Sequence, residues 1–180
     1  FSVVMGEPTW LIRLTELAER DGGYPLKILM GGAEEMPADA IPWMEKVWAP
    51  AKVRMTYASV EMATSIGFQP CDQRDGYHVD HLDFLPEIIE PDESGYGELL
   101  FTTLSRRTMP VIRYRTRDVT RFIPEPCPCG MRTPRITKVK GRRDELVVAS
   151  GGNLYPLMLE QILREVPGLT YDWQAVFRLE

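Results

Sequence analysis

The sequence predicts an α/β fold: a parallel α/β half, then a β-rich subdomain, then the start of a small C-terminal α+β domain. Three observations predict it. Strand-length apolar runs alternate with helix-period segments over residues 1–57. From Phe84 the pattern becomes a series of strand-like runs separated by turn-rich segments such as Pro91-Asp92-Glu93-Ser94-Gly95. After Gly141-Arg142-Arg143-Asp144-Glu145 an apolar strand start and a helix-period segment return. The expected division is 1–141, with its α/β part at 1–62 and β-rich part at 63–141, followed by a hinge and the small domain at 142–180. With 180 residues, 44% of them apolar, the chain can bury one substantial core and a second small unit.

Phe1 to Met5 reads as a buried strand running into Gly6. Pro8 suits the first turn of a helix on which Trp10, Leu11, Leu14, Leu17 and Ala18 recur at helical spacing, and Gly22-Gly23 ends it. Leu26 to Met30 forms a second strand, stopped by Gly31-Gly32. Pro37 opens a helix reaching Trp48, kinked or limited by Pro42, and residues 51–57 form a third strand. The later strands are expected at Phe84–Glu90, Glu98–Leu104, Val111–Arg115, Thr120–Ile123 and Ile136–Lys140. Leu146-Val147-Val148 starts a further unit. Pro156 opens a helix with Leu159, Ile162, Leu163 and Val166 on one face, closed by Pro167-Gly168. A strand from Trp173 to Leu179 would stop without a partner, so both ends are expected to be cuts within a longer protein.

The net charge of −5 argues against nonspecific nucleic-acid binding, which depends on excess Lys and Arg. No apolar run approaches the ~20 residues of a membrane helix, and the first residues lack a signal-peptide pattern. Three cysteines, two of them in Cys127-Pro128-Cys129, disfavour a disulfide framework. They favour a reducing, cytoplasmic setting with free or metal-bound thiols. A homo-oligomer stays open, because apolar surface exposed at a cut would itself promote association.

Several segments carry candidate chemistry. Gly31-Gly32-Ala33 follows a strand and lets the backbone approach a ligand. In Tyr57-Ala58-Ser59-Val60-Glu61, the Tyr57 ring can cover a purine, Ser59 can bond a phosphate oxygen and Glu61 can offer a hard oxygen to Mg²⁺. In Arg113-Tyr114-Arg115-Thr116-Arg117-Asp118, Asp118 can accept hydrogen bonds from both ribose hydroxyls. The Arg142 guanidinium suits a ribose or phosphate contact. Taken singly, each segment reads first as an ordinary turn, a solvated strand face or a structural residue. No Gly-x-x-x-x-Gly-Lys occurs, which excludes a P-loop site.

In their order and spacing, followed by Gly151-Gly152-Asn153-Leu154-Tyr155-Pro156, these segments resemble the acyl-adenylate-forming enzymes, and within them the phenylacetate–CoA ligase group. The resemblance covers nearly the whole chain. Ala58 stands where the superfamily often has Gly, and Arg117 stands where its commoner motif has Gly; the Arg form is the one associated with this group. The resemblance implies that residues 1–141 are the C-terminal part of a large AMP-binding domain. It places Gly31, Gly32 and Ala33 on the adenine side, with Tyr57, Ala58, Ser59, Asp118 and Arg142 around the nucleotide. Glu61 would hold Mg²⁺, Asp144 would be the domain hinge, and Gly151 would lie along the pantetheine arm of CoA.

The implied reaction activates a carboxylic acid with ATP to an acyl-adenylate and then transfers the acyl group to CoA. The phosphate loop and the catalytic lysine of the family have no counterpart in this stretch, so it is not expected to catalyse alone. The rival expectations are a coenzyme F390 synthetase type of adenylyltransferase needing no CoA, and a non-catalytic, zinc-stabilised nucleotide-binding module. They differ from the leading one in CoA dependence and in acid-dependent turnover.

Cys71, His78, Cys127 and Cys129 would complete a tetrahedral structural Zn²⁺ site, although their spacing departs from paired C-x₂-C motifs. His81 is the other candidate for the fourth ligand, since His78 and His81 would face opposite ways on a strand. Free thiols with surface histidines are the remaining alternative. Some bacterial ligases of the resembled group carry the same Cys and His arrangement.

Overall fold

The computed structural model describes residues 2–64, 67–149, 152–164, 166 and 174–176. The first half is a parallel three-stranded sheet of β1 (Val3–Gly6), β2 (Ile28–Gly31) and β3 (Lys52–Met55), in that order. The crossovers carry α1 (Pro8–Asp21) and α2 (Ala40–Val47). Pro8 sits in the first turn of α1, where its missing N–H costs no intrahelical bond. The buried stripe of α1 is Leu11, Ile12, Thr15 and Ala18, while Trp10, Leu14 and Leu17 stay exposed. Thr15 explains the shift: its hydroxyl donates to the Leu11 carbonyl at 2.6 Å and accepts the Trp48 indole N–H at 2.9 Å, which turns this side toward α2. α2 starts at Ala40 rather than Pro37, so Pro42 falls in its first turn and breaks nothing.

The second half is antiparallel. β6 (Phe84–Ile89), β7 (Gly97–Thr103) and β8 (Tyr114–Thr120) form one sheet. β4 (Phe68–Gln69), β5 (Gly76–Val79), β9 (Phe122–Ile123) and β10 (Arg135–Thr137) form another, in the order β4-β5-β10-β9. β11 (Val147–Ala149) and β12 (Gly152–Leu154) pair as a hairpin before α3 (Pro156–Arg164). Gly151 and Pro167-Gly168 lie outside the described residues. So does most of the strand expected at Trp173–Leu179; its described positions 174–176 have no regular structure.

Of the two strands expected around the Arg-rich motif, the one at Val111–Arg115 is shifted into β8, which runs through the motif, and the one at Thr120–Ile123 falls on the last residue of β8 and on β9. Glu98 pairs with Val119 while Leu100 pairs with Arg115, so β8 accommodates extra residues at Thr116-Arg117-Asp118. Arg117 takes a left-handed φ of 71°, a conformation that favours glycine. The Arg at this position is thus placed where backbone geometry alone would prefer Gly.

A row of aromatic rings runs through the core between the two motifs: Tyr57–Phe68 at 5.3 Å, Phe68–Phe84 at 6.0 Å, Phe84–Phe101 at 5.8 Å and Phe101–Tyr114 at 5.5 Å. The three phenylalanines are fully buried, so the row ties the parallel layer to the β6-β7-β8 sheet by close packing.

Candidate nucleotide cleft and metal-ligand cluster

An open cleft of about 510 Å³ lies beyond the C-terminal ends of β2 and β3, the end at which open α/β sheets bind ligands. The loop after β2 contributes Ala33, Glu34 and Glu35, and the loop after β3 contributes Thr56, Tyr57, Ala58 and Ser59. Tyr77, Asp118, Arg142 and Glu145 complete most of the wall.

Asp118 Oδ2 accepts a hydrogen bond from the Tyr57 hydroxyl at 2.6 Å, and its Oδ1 lies 3.4 Å from Arg142 Nη1. Burial raises the Asp118 pKa, opposed by the Tyr57 hydrogen bond and the Arg142 charge. Burial, then the Asp118 charge, pushes the Tyr57 hydroxyl far above its usual range, so it remains a donor. Arg142 grips Asp144 through two hydrogen bonds of 3.0 and 2.8 Å and donates to the Thr116 carbonyl at 3.2 Å.

Glu61 sits in a 3₁₀ turn, Val60–Met62, and its Oε1 accepts the Tyr114 hydroxyl at 2.6 Å. That bond is the main reason its pKa is lowered, so the carboxylate is ionised near neutrality. Ser59 Oγ, buried beside the open cleft it helps to line, lies close enough to Glu61 to help lower its pKa.

Ala33, Tyr57, Ala58, Ser59, Asp118 and Arg142 are therefore brought together in one wall. Gly31 and Gly32 are not part of that wall. A Cβ on Gly31 would come within 2.5 Å of Met55 Sδ, so this glycine answers to packing between β2 and β3. The Tyr57 ring is only 8% exposed, packed against Phe68 and Tyr77, so little of its face is free for a base. Asp144 is half exposed beside the wall rather than in it. Four residues were not singled out from sequence: Glu35 and Tyr77, joined by a 2.9 Å hydrogen bond; Tyr114; and Glu98. Glu98 is fully buried and accepts from Arg115 Nε at 3.1 Å, Arg143 Nη1 at 3.3 Å and the Arg117 backbone N–H at 3.3 Å. It thereby satisfies the bulge from inside. Its pKa is lowered, first by the Arg115 hydrogen bond.

On the other side of β5, the ligand atoms of Cys71, His78, Cys127 and Cys129 all lie within 4.8 Å of one another. The sulfurs of Cys71 and Cys127 are 3.7 Å apart, close to the ~3.8 Å that two thiolates reach on a tetrahedral Zn²⁺ with Zn–S of about 2.3 Å. His78 Nδ1 hydrogen-bonds Thr133 Oγ1 at 2.9 Å, which turns Nε2 toward Cys129 Sγ at 3.3 Å. Burial, then the Arg135 charge, lowers the His78 pKa and keeps the ring neutral, as a ligand must be. His81 is exposed and outside the cluster. Burial pushes the Cys71 thiol up to about 11, so a bound cation would displace its proton. The donor set and spacing fit zinc.

No protein-family profile matches the chain. Among curated proteins, the phenylacetate–coenzyme A ligase of Aromatoleum evansii is 33% identical over 184 residues, covering 93% of this chain and 40% of that protein. The phenylacetate–coenzyme A ligase of Thermus thermophilus is 36% identical over 115 residues, 61% of this chain and 26% of that protein. Among solved structures, 2-hydroxyisobutyryl-CoA ligase in its postadenylation state with R3-HIB-AMP matches with a TM-score of 0.79 at 24% identity, over 95% of this chain and 39% of that one. An open conformation of the same ligase, with 2-HIB-AMP and CoA, matches with a TM-score of 0.74 at 24% identity, over 93% of this chain and 42% of that one. These structures share the fold. Among the described residues no helix is long and apolar enough to cross a membrane. The chain spans about 40% of the length of the Aromatoleum relative. Sequence and fold agree, and the chain belongs to the phenylacetate–coenzyme A ligase family.

Proposed function

We propose that this chain supplies the adenosine side of the active site of a cytoplasmic, AMP-forming acid–CoA ligase whose acid is an aryl carboxylate such as phenylacetate. The observation that carries the reading is the convergence of Ala33, Ser59, Asp118 and Arg142 on one cleft, with the ionised Glu61 beside it. Relatives named as phenylacetate–coenzyme A ligases support the acid and the acceptor, and the neighbouring structure with 2-HIB-AMP and CoA supports the two-step scheme.

In this reading Asp118 accepts the ribose hydroxyls, and Arg142 exchanges a carboxylate partner for ribose or phosphate oxygen. Ser59 Oγ donates to a phosphate oxygen, and the loop at Ala33 borders the base. Catalysis of the first step is then mostly positioning and charge neutralisation. Mg²⁺ held by Glu61 would supply part of that neutralisation. The acid's carboxylate attacks the α-phosphate, pyrophosphate leaves, and the CoA thiol later displaces AMP. Asp144 acts as the hinge between the body at 1–141 and the domain beginning at 142, and Gly151 borders the pantetheine path. Zn²⁺ held by Cys71, His78, Cys127 and Cys129 is structural.

The test is acid-dependent ATP–pyrophosphate exchange by the full-length protein across a panel of aryl acids, followed by CoA-dependent release of AMP. No exchange with any acid overturns the reading. Acid-independent adenylyl transfer to a deazaflavin without CoA would move the protein to the F390 synthetase type.

A further inference from the structure

The two nucleotide motifs each contain a tyrosine and a carboxylate, and the structure pairs them crosswise. Tyr57 of the first motif donates to Asp118 of the second at 2.6 Å. Tyr114 of the second donates to Glu61 of the first, also at 2.6 Å. Both bonds join residues more than fifty positions apart, so neither comes from local turn geometry. The two tyrosines are also the ends of the aromatic row through Phe68, Phe84 and Phe101. Their rings are thus fixed by the core, and their hydroxyls can hold the carboxylates at set places relative to each other.

We propose that Tyr57 and Tyr114 are positioning residues forming a reciprocal brace, Tyr114 orienting Glu61 for the divalent cation and Tyr57 orienting Asp118 for the ribose. The brace rests on the assignment of Glu61 and Asp118 made above. Each hydroxyl occupies one named oxygen, Glu61 Oε1 and Asp118 Oδ2. A carboxylate held through one oxygen presents the other in a defined direction, which is what a hard cation or a pair of hydroxyls requires. The effect on ionisation is consistent, since the Tyr114 bond is the leading cause of the lowered Glu61 pKa. The brace also links the two half-sites: cation and ribose ligands move together only as far as the aromatic row allows.

The experiment compares Tyr114→Phe and Tyr57→Phe in the full-length protein, which keep both rings and remove one hydroxyl each. Two quantities are read: the Mn²⁺ concentration that half-saturates the protein with a non-hydrolysable ATP analogue, followed by electron paramagnetic resonance, and the preference for ATP over 2′-deoxy-ATP in exchange kcat/KM. Tyr114→Phe should raise the Mn²⁺ half-saturation about tenfold and leave the nucleotide preference alone. Tyr57→Phe should lower the preference by a similar factor and leave the Mn²⁺ half-saturation alone. Partial unfolding would not produce this crossed pattern, because neither readout scales with the amount of active protein. If both variants move both quantities, or neither, the brace is overturned. Glu61→Gln and Asp118→Asn separate that failure from failure of the assignment. If Glu61→Gln leaves Mn²⁺ binding unchanged, or Asp118→Asn leaves the preference unchanged, the assigned ligands fall and the brace falls with them.

Discussion

Tyr77 and His78 are neighbours on β5, yet Tyr77 lines the cleft and His78 belongs to the four-donor cluster behind it. The two sites solve the problem of buried charge in different ways. At the cleft, Asp118 has Tyr57 and Arg142 as protein donors, and Glu61 beside it has Tyr114. In the cluster three thiols and an imidazole face one another, and only a cation can make three thiolates at that spacing favourable. The cleft carboxylates are partnered by protein groups, whereas the cluster, in the proposed reading, would draw its stability from a bound cation.

That contrast gives the predictions, in order of expected size. Cys127→Ser should remove one equivalent of zinc by elemental analysis and cost on the order of 4 kcal/mol, roughly 10 °C in the unfolding midpoint. An unchanged zinc content and midpoint would mean that the cluster is not a structural centre. Glu98→Gln strips the countercharge from Arg115 and Arg143 and should cost about 3 kcal/mol in urea denaturation. The pH dependence follows from the same residue. Its pKa is lowered from 4.5 on folding, so its contribution is complete above about pH 4.5 and is lost as pH falls through the folded value. Glu98→Gln should therefore flatten the acid limb of the stability profile. An equally steep limb in the variant would assign that limb to other carboxylates.

Asp118→Asn should lower acid-dependent exchange about 100-fold, near 2.7 kcal/mol, with a smaller loss of stability, since Tyr57 can still donate to the amide oxygen. A melting loss as large as that of Cys127→Ser would erase the contrast between a cleft partnered by protein groups and a cluster that draws its stability from a cation. Arg117→Gly should gain about 0.5–1 kcal/mol by releasing the left-handed φ, read as a small rise in midpoint. A loss instead would show that the Arg117 side chain contributes more than its backbone costs.

The cluster was legible in sequence because cysteine and histidine are rare here, and five such residues leave few combinations. The parallel layer was legible because β1, α1, β2, α2 and β3 each carry their own periodicity. The bulge in β8 was not, since Thr116-Arg117-Asp118 looks like any alternating polar stretch, and its cause, the Glu98 carboxylate, lies on another strand. The cleft-lining residues near the motifs could be named, but the Tyr57–Asp118 and Tyr114–Glu61 pairings could not, because they depend on how two distant segments dock. Gly31 shows the converse: a glycine read as making room for ligand also makes room for Met55.

The alternation along β5 has one more consequence. A slip of one residue in its pairing with β10, where His78 is opposite Arg135, would send the imidazole toward the cleft and the Tyr77 hydroxyl toward the thiols. A cation bound by His78 and by cysteines outside the strand would penalise that error directly, since the slipped strand could not reach it. The metal would then act as a proofreader of strand alignment, rejecting misfolded chains whose cleft wall has been turned inside out.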